Sequence, residues 1–264
     1  MKSPSFPTPD CLKPGLLVLL ILAFVSDVHS QHPYKKYPAI QFKEYKTWKL
    51  YDSTTIGKAD FKMRIPGFFG KDGSISVAFS VVTDWPDSVF FSIAQNDKLI
   101  QRSILPIGIS TTDLGPTLQS VFVEDVNGDG LNDLKILVPG NGCCGAYNFY
   151  LRVIYLIQTS NHKFSIITFT DLMMNYENRL ERDFNGDGNF EFITQTFKSY
   201  GQHNYWVFDL YNFKDGKLIN VNGKNNFPVM CQIFDGGSLR VTEHLSRTEM
   251  KKFAHKLPDG YTGQ

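Results

Sequence analysis

The 264-residue chain has no surplus of charge of either sign. It carries 27 Lys and Arg against 26 Asp and Glu, which leaves a formal net charge of +1. Nucleic acids and anionic membrane surfaces attract proteins mainly through clustered basic charge. No run of basic residues reaches the length of a polybasic patch. The sequence therefore gives no electrostatic basis for nucleic acid as a partner.

The chain also lacks the common short catalytic motifs. It contains no Gly-x-Ser-x-Gly, no His-Glu-x-x-His and no phosphate-binding glycine loop. Its histidines are scattered without the spacing of metal ligands. We predict that the protein is not an enzyme. A glycan-active enzyme is the alternative, because two carboxylates brought together from distant positions leave no pattern in a sequence.

Long apolar runs are missing beyond the N-terminus. Residues 15–25 form one apolar run, preceded by Lys2 and Lys13, and a small residue, Ser30, follows it at a cleavage position. A membrane-spanning helix needs about 20 apolar residues, more than this run offers. The pattern predicts a signal peptide over residues 1–30, cleaved after Ser30. We expect a secreted or periplasmic protein whose mature chain has no transmembrane segment.

Cysteine is scarce. After the predicted cleavage Cys143, Cys144 and Cys231 are left. Neighbouring α-carbons are about 3.8 Å apart, below the usual range for a disulfide, so a bridge between the adjacent pair would be strained. In an oxidising compartment one of the two can bridge to the distant cysteine. The sequence predicts a disulfide between Cys231 and either Cys143 or Cys144.

Aromatic and turn-forming residues are abundant. The chain has 22 Phe and 12 Tyr in short runs, with many Gly and Asn between them. Aromatic residues favour β-strands, and Gly and Asn favour tight turns. We predict a mainly β fold.

Two acidic stretches share one pattern, DVNGDGLND at residues 125–133 and DFNGDGNFE at residues 183–191, 58 residues later. Positions 1, 3, 5 and 9 carry side-chain oxygens, and position 7 can offer its backbone carbonyl. Glycines at positions 4 and 6 allow the chain to curl, because glycine tolerates positive φ. Oxygen ligands on a flexible loop suit Ca²⁺ better than Mg²⁺. The predicted ligands of two calcium ions are Asp125, Asn127, Asp129, Leu131 and Asp133, and Asp183, Asn185, Asp187, Asn189 and Glu191.

The acidic stretches differ from an EF-hand, which needs a bidentate Glu at position 12. Here that position holds Ile136 or Thr194. Strand-like segments flank both stretches, so we expect each loop to close a β-hairpin. A metal-free Asn-Gly turn is the alternative. A calcium site explains the acidic pattern better than a metal-free turn does, since three carboxylates in each loop would repel one another without a cation.

The 58-residue spacing extends beyond the acidic loops. Each loop is followed by an apolar strand, a glycine-containing turn, an aromatic strand, a polar turn and a last strand. Residues 88–101 resemble residues 206–220, which indicates a third related unit without an acidic loop. The sequence thus predicts antiparallel four-strand repeat units. Residues 31–49 fall outside them and are expected to form a loose arm or an edge strand.

One helix is predicted near the C-terminus. Ser246 and Glu249 form a capping-box pattern, and the apolar residues that follow, to Leu257, have helical spacing. Pro258 ends the pattern. We expect an amphipathic helix of about three turns that packs on a sheet.

The two acidic motifs resemble the calcium loops of FG-GAP and VCBS repeats, the family that includes the β-propeller of integrin α chains. Propellers of this family usually have about seven blades of about 60 residues each, and this chain is long enough for no more than about four such units. The resemblance implies a small or incomplete propeller, or sandwiched sheets, in which calcium is structural. We divide the chain into a signal peptide (1–30), an N-terminal β region (31–110) and a calcium-loop repeat domain with the C-terminal helix (111–264).

A weaker resemblance concerns the overall layout. An export signal, a DxNxDGxxD loop and the glycine-rich turn at residues 140–150 are similar to small bacterial exported proteins that bind calcium and inhibit lysozyme-like peptidoglycan hydrolases. This implies a periplasmic inhibitor as an alternative function. Our main prediction is a non-catalytic binding or adhesion module for a protein or glycan ligand outside the cytoplasm. Tyr205 and Trp206 are candidate contact residues if they are not part of the core.

Overall fold

The computed structural model describes residues 32–46, 49–52, 58–71, 73–82, 88–106, 120–141, 149–159, 162–172, 180–234 and 239–263. The predicted signal peptide, Cys143 and Cys144 lie outside these residues. The signal peptide and the disulfide therefore stay predictions.

Antiparallel strands dominate the described residues, which confirms the predicted mainly β fold. The first sheet contains β2 (Lys49–Asp52), β3 (Lys58–Ile65), β4 (Ile75–Val82), β5 (Ser88–Gln95) and β6 (Lys98–Pro106). The second contains β1 (Lys43–Tyr45), β7 (Val121–Glu124), β8 (Asp133–Asn141), β9 (Phe149–Thr159), β10 (Lys163–Leu172) and β17 (Thr262–Gly263). The third contains β11 (Glu181–Arg182), β12 (Glu191–Tyr200), β13 (His203–Lys214), β14 (Lys217–Asn220), β15 (Val229–Ile233) and β16 (Leu239–Val241).

Strands that follow one another in sequence are mostly neighbours in each sheet. The orders are β2-β3-β4-β5-β6, β1-β7-β8-β9-β10-β17 and β11-β12-β13-β15-β16, with β14 also paired to β13. Each sheet thus contains an antiparallel meander.

The meander of the third sheet has a short last strand. β14 pairs with β13 over four residues, and β15 pairs with the stretch from Tyr205 to Phe208. The side chain of Asn222 accepts a hydrogen bond from the backbone N–H of Leu210 at 2.7 Å and donates one to Asp209 at 2.7 Å. These bonds draw the chain out of the sheet into a 3-10 turn at Asn222–Lys224.

The sheets are layered, with the second between the other two. Alternate residues of its strands point to opposite faces, as in any pleated strand. One face packs on the first sheet in a core that includes Val77, Phe79, Phe91, Ile136, Ile154 and Leu156. The other packs on the third sheet in a core that includes Val153, Tyr155, Phe169, Phe192, Tyr211 and Leu218.

The N-terminal arm forms an edge strand, one of the two predicted alternatives. β1 pairs with β7, from Lys43 opposite Val123 to Tyr45 opposite Val121. Closer to the N-terminus, Tyr34 is buried in the core around the third sheet, and Ile40 is buried in the core between the second and third sheets. The arm therefore spans the second and third sheets.

The C-terminal helix begins as predicted but is shorter. The capping box between Ser246 and Glu249 is present, α1 spans Arg247–Met250, and one 3-10 turn follows at Lys251–Phe253. The prediction of three helical turns is wrong. Asp209 on β13 binds both the backbone N–H of His255 at 3.2 Å and its ring Nδ1 at 3.0 Å. This contact accompanies an extended backbone at Ala254, where the helical path ends.

Candidate functional site

Both acidic loops close β-hairpins. The first loop, residues 125–133, joins β7 to β8, with Glu124 opposite Asp133. The second loop, residues 183–191, joins β11 to β12, with Arg182 opposite Glu191. In each hairpin the residue before position 1 pairs with the residue at position 9. The two loops therefore have the same register.

Hydrogen bonds inside the first loop gather its polar side chains around the curled backbone. Asp125 accepts from the N–H of Asp129 at 3.1 Å and from that of Gly130 at 2.7 Å. Asn127 accepts from the N–H of Asp129 at 3.2 Å and donates its amide to the Asp129 carboxylate at 3.0 Å. Asp129 also accepts from the N–H of Leu131 at 2.8 Å.

The second loop repeats this arrangement position by position. Asp183 accepts from the N–H groups of Gly186 at 2.6 Å and Gly188 at 3.2 Å. Asn185 accepts from the N–H of Asp187 at 3.0 Å and donates to its carboxylate at 2.8 Å. Asp187 accepts from the N–H of Asn189 at 2.8 Å. Two differences stand out. Asp183 accepts from the amide at position 4 where Asp125 accepts from that at position 5, and Asn185 also donates to Glu191 at 3.4 Å.

Glycine at positions 4 and 6 gives both loops their shape. Gly128 and Gly130 have φ of 71° and 84°, and Gly186 and Gly188 have 76° and 84°. Residues with a side chain rarely adopt this backbone conformation. The sequence-based reason for these glycines thus agrees with the observed backbone.

The acid at position 9 is buried in both loops. Asp133 accepts from the N–H of Val126 at 2.9 Å and from that of Gln158 on β9 at 2.7 Å. The pKa of this carboxyl is raised to about 7. Burial is the largest cause, the nearby carboxylates of Asp129 and Asp125 add to the increase, and the two hydrogen bonds oppose it. This carboxyl therefore gives up its proton less readily than an exposed one.

Glu191 occupies the same place in the second loop. It accepts from the N–H of Phe184 at 3.0 Å. Burial raises its pKa, and the carboxylates of Asp187 and Asp183 add to that increase. In each loop a buried acid thus lies close to two more carboxylates, where a positive charge would be stabilised.

The two loops lie against each other, which the sequence alone did not indicate. The N–H of Phe190 donates to the carbonyl of Val126 at 3.3 Å. A Cβ on Gly128 would overlap Oδ1 of Asn189. That Oδ1 atom is buried and has no hydrogen-bond partner among the described residues. Six carboxylates therefore gather at one edge of the molecule.

Neighbouring segments hold this edge in place. Asn132 donates its side-chain amide to the carbonyl of Phe68, in the turn between β3 and β4, at 2.8 Å. The N–H of Asp183 donates to the carbonyl of Pro38 at 3.0 Å, and the ring of Tyr37 packs on Phe184 at 4.0 Å between centroids. The acidic loops thus contact both the first sheet and the N-terminal arm.

A buried ion pair lies between the second and third sheets. Lys135 on β8 is 2.7 Å from the carboxylate of Glu181 on β11, and both side chains are almost fully buried. The hydroxyl of Tyr155 donates to the same carboxylate. Lys135 and Asp133 are two residues apart and lie on the same face of β8. Sequence reasoning missed this pair because a single Lys and a single Glu, far apart in the chain, form no motif.

The loop residues fit a hard cation in donor type and order. Each loop presents oxygen atoms that can serve as metal ligands. In each loop an Asn amide donates a hydrogen bond to the carboxylate at position 5. Within the described residues, no group of three His, Cys, Asp or Glu side chains converges on a metal-binding position. A cation would have to draw the side chains of positions 1, 3 and 5 together from their present hydrogen bonds.

The other candidate residues lie in the core or outside the described chain. Tyr205 and Trp206 are buried, so they do not offer rings for stacking on a ligand. Cys231 is buried on β15. No helix in the described ranges is long and apolar enough to cross a membrane.

The histidines serve contacts within the fold. His162 stacks on Phe69 at 4.5 Å, and His203 stacks on His244 at 4.6 Å. His255 binds the buried Asp209.

Comparison with known proteins gives no assignment: no protein-family model matches the chain, and neither a curated protein nor a solved structure gives a significant match.

Proposed function

We propose that the protein is an exported calcium-binding β protein that acts as a non-catalytic binding or adhesion module. The observation that carries the proposal is the pair of acidic hairpin loops, which share their register, their glycine conformations and most of their hydrogen bonds. Two unrelated turns would not be expected to share a register, two left-handed glycines and the same carboxylate contacts.

Calcium is the cation that these loops favour. Oxygen donors on a loop that can still adjust suit its six to eight ligands at about 2.3–2.6 Å. The ligands would be Asp125, Asn127, Asp129, Asp133 and the Leu131 carbonyl in the first loop, and Asp183, Asn185, Asp187, Glu191 and the Asn189 carbonyl in the second. Bound calcium would supply positive charge and no redox or acid–base step.

The contact between the loops gives the cations a structural role. Six carboxylates close together repel one another, and the repulsion is strongest for those removed from water. Neutralising them would stabilise the edge where the first loop, the second loop and the turn at Phe68 meet. We infer that calcium rigidifies this edge, so that the sheets present a fixed surface to a protein or glycan.

The FG-GAP and VCBS resemblance belongs to this proposal. It is supported by the motif and by the three successive meanders, each packed face to face on the next. Export is supported by the N-terminal apolar run and Ser30. Calcium loops of extracellular modules often bind at about 10⁻⁴–10⁻³ M, a range that suits a protein outside the cytoplasm.

The test is calorimetric titration of chelator-treated protein with calcium. We expect uptake of two ions. D129A and D187A each remove a ligand from one loop and should reduce the uptake to one ion. D215N is the matched control, because Asp215 lies in the exposed turn between β13 and β14 and Asn tolerates its left-handed backbone, at a φ of 51°. Absence of uptake up to about 10 mM calcium, well above the usual range for such loops, would overturn the proposal.

A further inference from the structure

The third sheet carries charge of opposite sign at the two ends of β12. Glu191, at its first end, belongs to the second acidic loop, and Tyr200 is its last residue. The strand has ten residues, and a strand rises about 3.4 Å per residue, so its ends lie roughly 30 Å apart. We call the surface at the far end the basic-aromatic patch. It consists of Lys198, Tyr200, Lys251, Lys252 and Phe253.

Contacts between rings and cations hold the basic-aromatic patch together. The ring of Tyr200 packs edge-to-face on Phe253, with 5.0 Å between centroids, and Nζ of Lys198 lies 5.9 Å from the centre of the same Phe253 ring. Lys251 and Lys252 precede Phe253 in the 3-10 turn, and both are exposed. The fold thus gathers cations from two distant segments of the chain, which is why no basic run in the sequence predicted the patch.

The positive charge extends across the sheet. In the strand registers Arg240 on β16 and Lys198 on β12 belong to one row of cross-strand partners, so they lie on the same face. The guanidinium of Arg240 lies 5.8 Å from the ring centre of Phe234. From residue 239 to residue 256 the chain has five Lys and Arg against two Glu. A partner at this end of the sheet would therefore meet an excess of positive charge.

An aromatic ring is left in water among these cations. Tyr200 is 49% exposed, although a large aromatic side chain gains free energy when it is removed from water. The capping box of α1 and the buried Met250 hold the neighbouring 3-10 turn in place. Because the patch is already ordered, a partner would lose little free energy in ordering it.

Two partners would complement this charge, a second copy of the chain and an anionic bilayer. The acidic loops of a second copy would supply negative charge. However, the exposed positions of both loops hold only Asp, Asn and Gly, which cannot bury an aromatic ring. At a bilayer, Tyr rings lie at the level of the headgroups, and lysines reach the headgroups while their stems cover apolar surface. The bilayer therefore matches both the charge and the exposed ring.

We propose that the basic-aromatic patch docks on the surface of an anionic phospholipid bilayer. The acidic edge then points away from the lipid, because it lies at the other end of β12 and is repelled by anionic headgroups. The inference goes beyond the proposed function by adding a second partner, and it does not depend on calcium.

The experiment is sedimentation of the protein, in the form that an exporting host releases, with phospholipid vesicles. EGTA is present so that calcium does not bridge the acidic loops to the lipid. Vesicles of phosphatidylcholine with and without phosphatidylglycerol are compared. We expect binding to the anionic vesicles to be stronger by at least about tenfold, since each lysine near such a surface strengthens binding by about fivefold. Added salt should weaken it. Equal binding to both kinds of vesicle, or none to the anionic vesicles, would overturn the proposal.

Variants locate the docking surface. K251Q/K252Q should weaken binding to anionic vesicles by about 25-fold, roughly fivefold for each lysine. Y200S should weaken binding without changing its dependence on salt, because it removes the ring and no charge. K214Q/K217Q is the matched control, since it removes the same charge from the exposed turn between β13 and β14. Equal losses in the two double lysine variants would show that the patch is not the docking surface.

Sedimentation velocity in EGTA without lipid tests the second copy. Self-association that K251Q/K252Q abolishes, together with no binding to vesicles, would show that another copy occupies the patch and would refute docking on lipid. Calcium titration without vesicles tests the acidic loops alone, so the two proposals can fail separately.

Discussion

At the scale of single residues, the acidic loops show how one motif position acquires different surroundings in its two copies. Gly128 and Gly186 both stand at position 4 with φ near +70°, at 71° and 76°. Gly128 lies against Asn189 of the second loop, whereas no described atom lies within 4 Å of a Cβ placed on Gly186. Their backbones are alike, and only Gly128 is in contact with the other loop.

We therefore expect G128A to destabilise the protein more than G186A. Both variants place an alanine in the left-handed region, at about 1–2 kcal/mol. G128A adds an overlap with Oδ1 of Asn189, at the end of a side chain that can move, so the additional loss of unfolding free energy is smaller than for a clash with backbone. Urea unfolding of both variants in the same buffer measures the difference. Equal losses of unfolding free energy would show that the two loops do not press on each other at this point.

At the scale of elements, the C-terminal segment depends on one distant contact. Asp209 lies in the middle of β13 and is fully buried, and it binds the backbone and ring of His255. The His255 carbonyl in turn accepts hydrogen bonds from Tyr211 at 3.0 Å and Asn220 at 2.8 Å. α1 and the 3-10 turn after it are thus fixed to the third sheet by the core residue Met250, at their junction, and by His255, just after their end.

This contact predicts a pH dependence. The hydrogen bond to Asp209 raises the pKa of the His255 imidazole, although partial burial acts in the opposite direction. Because the folded pKa lies above the unfolded value of about 6.5, the stabilisation is complete below that pH and is lost as the pH rises through the folded pKa.

Wild type and H255Q should therefore differ most in unfolding free energy near pH 6, and the difference should shrink toward about pH 9. Urea unfolding across that range measures it. H244Q, which changes an exposed ring outside this contact, is the control and should show no such convergence. A gap between wild type and H255Q that stays constant or widens with pH would contradict the role of His255.

The elements also show what the sequence could predict. Runs such as residues 205–211 are rich in aromatic and β-branched residues, which was enough to expect strands and hairpins. The sequence could not show which face of β13 is buried, because both are. One face packs on the second sheet and on α1, and the other packs on the N-terminal arm, so Tyr205 and Trp206 are both buried. The predicted helix stops short of the contact between His255 and Asp209, and these two residues are 46 positions apart in the sequence. Local periodicity carries no information about such contacts.

At the scale of the whole molecule, the three sheets meet at one acidic edge. The spacing of 58 residues predicted two similar loops. Their contact depends on how the second and third sheets pack, through residues such as Phe169 and Phe192, and no pattern in the sequence specifies that packing.

The most direct test of the account is a melting curve of protein shown to be calcium-loaded at the start, recorded with and without EDTA. Because a bound ion stabilises the folded state by mass action, EDTA should lower the melting temperature by several degrees, roughly 2–4 °C for each kcal/mol lost in a chain of this size. D129A and D187A should each remove part of this response, and the double variant should remove nearly all of it. A melting temperature that is the same with and without EDTA would contradict a structural role for calcium in the two loops.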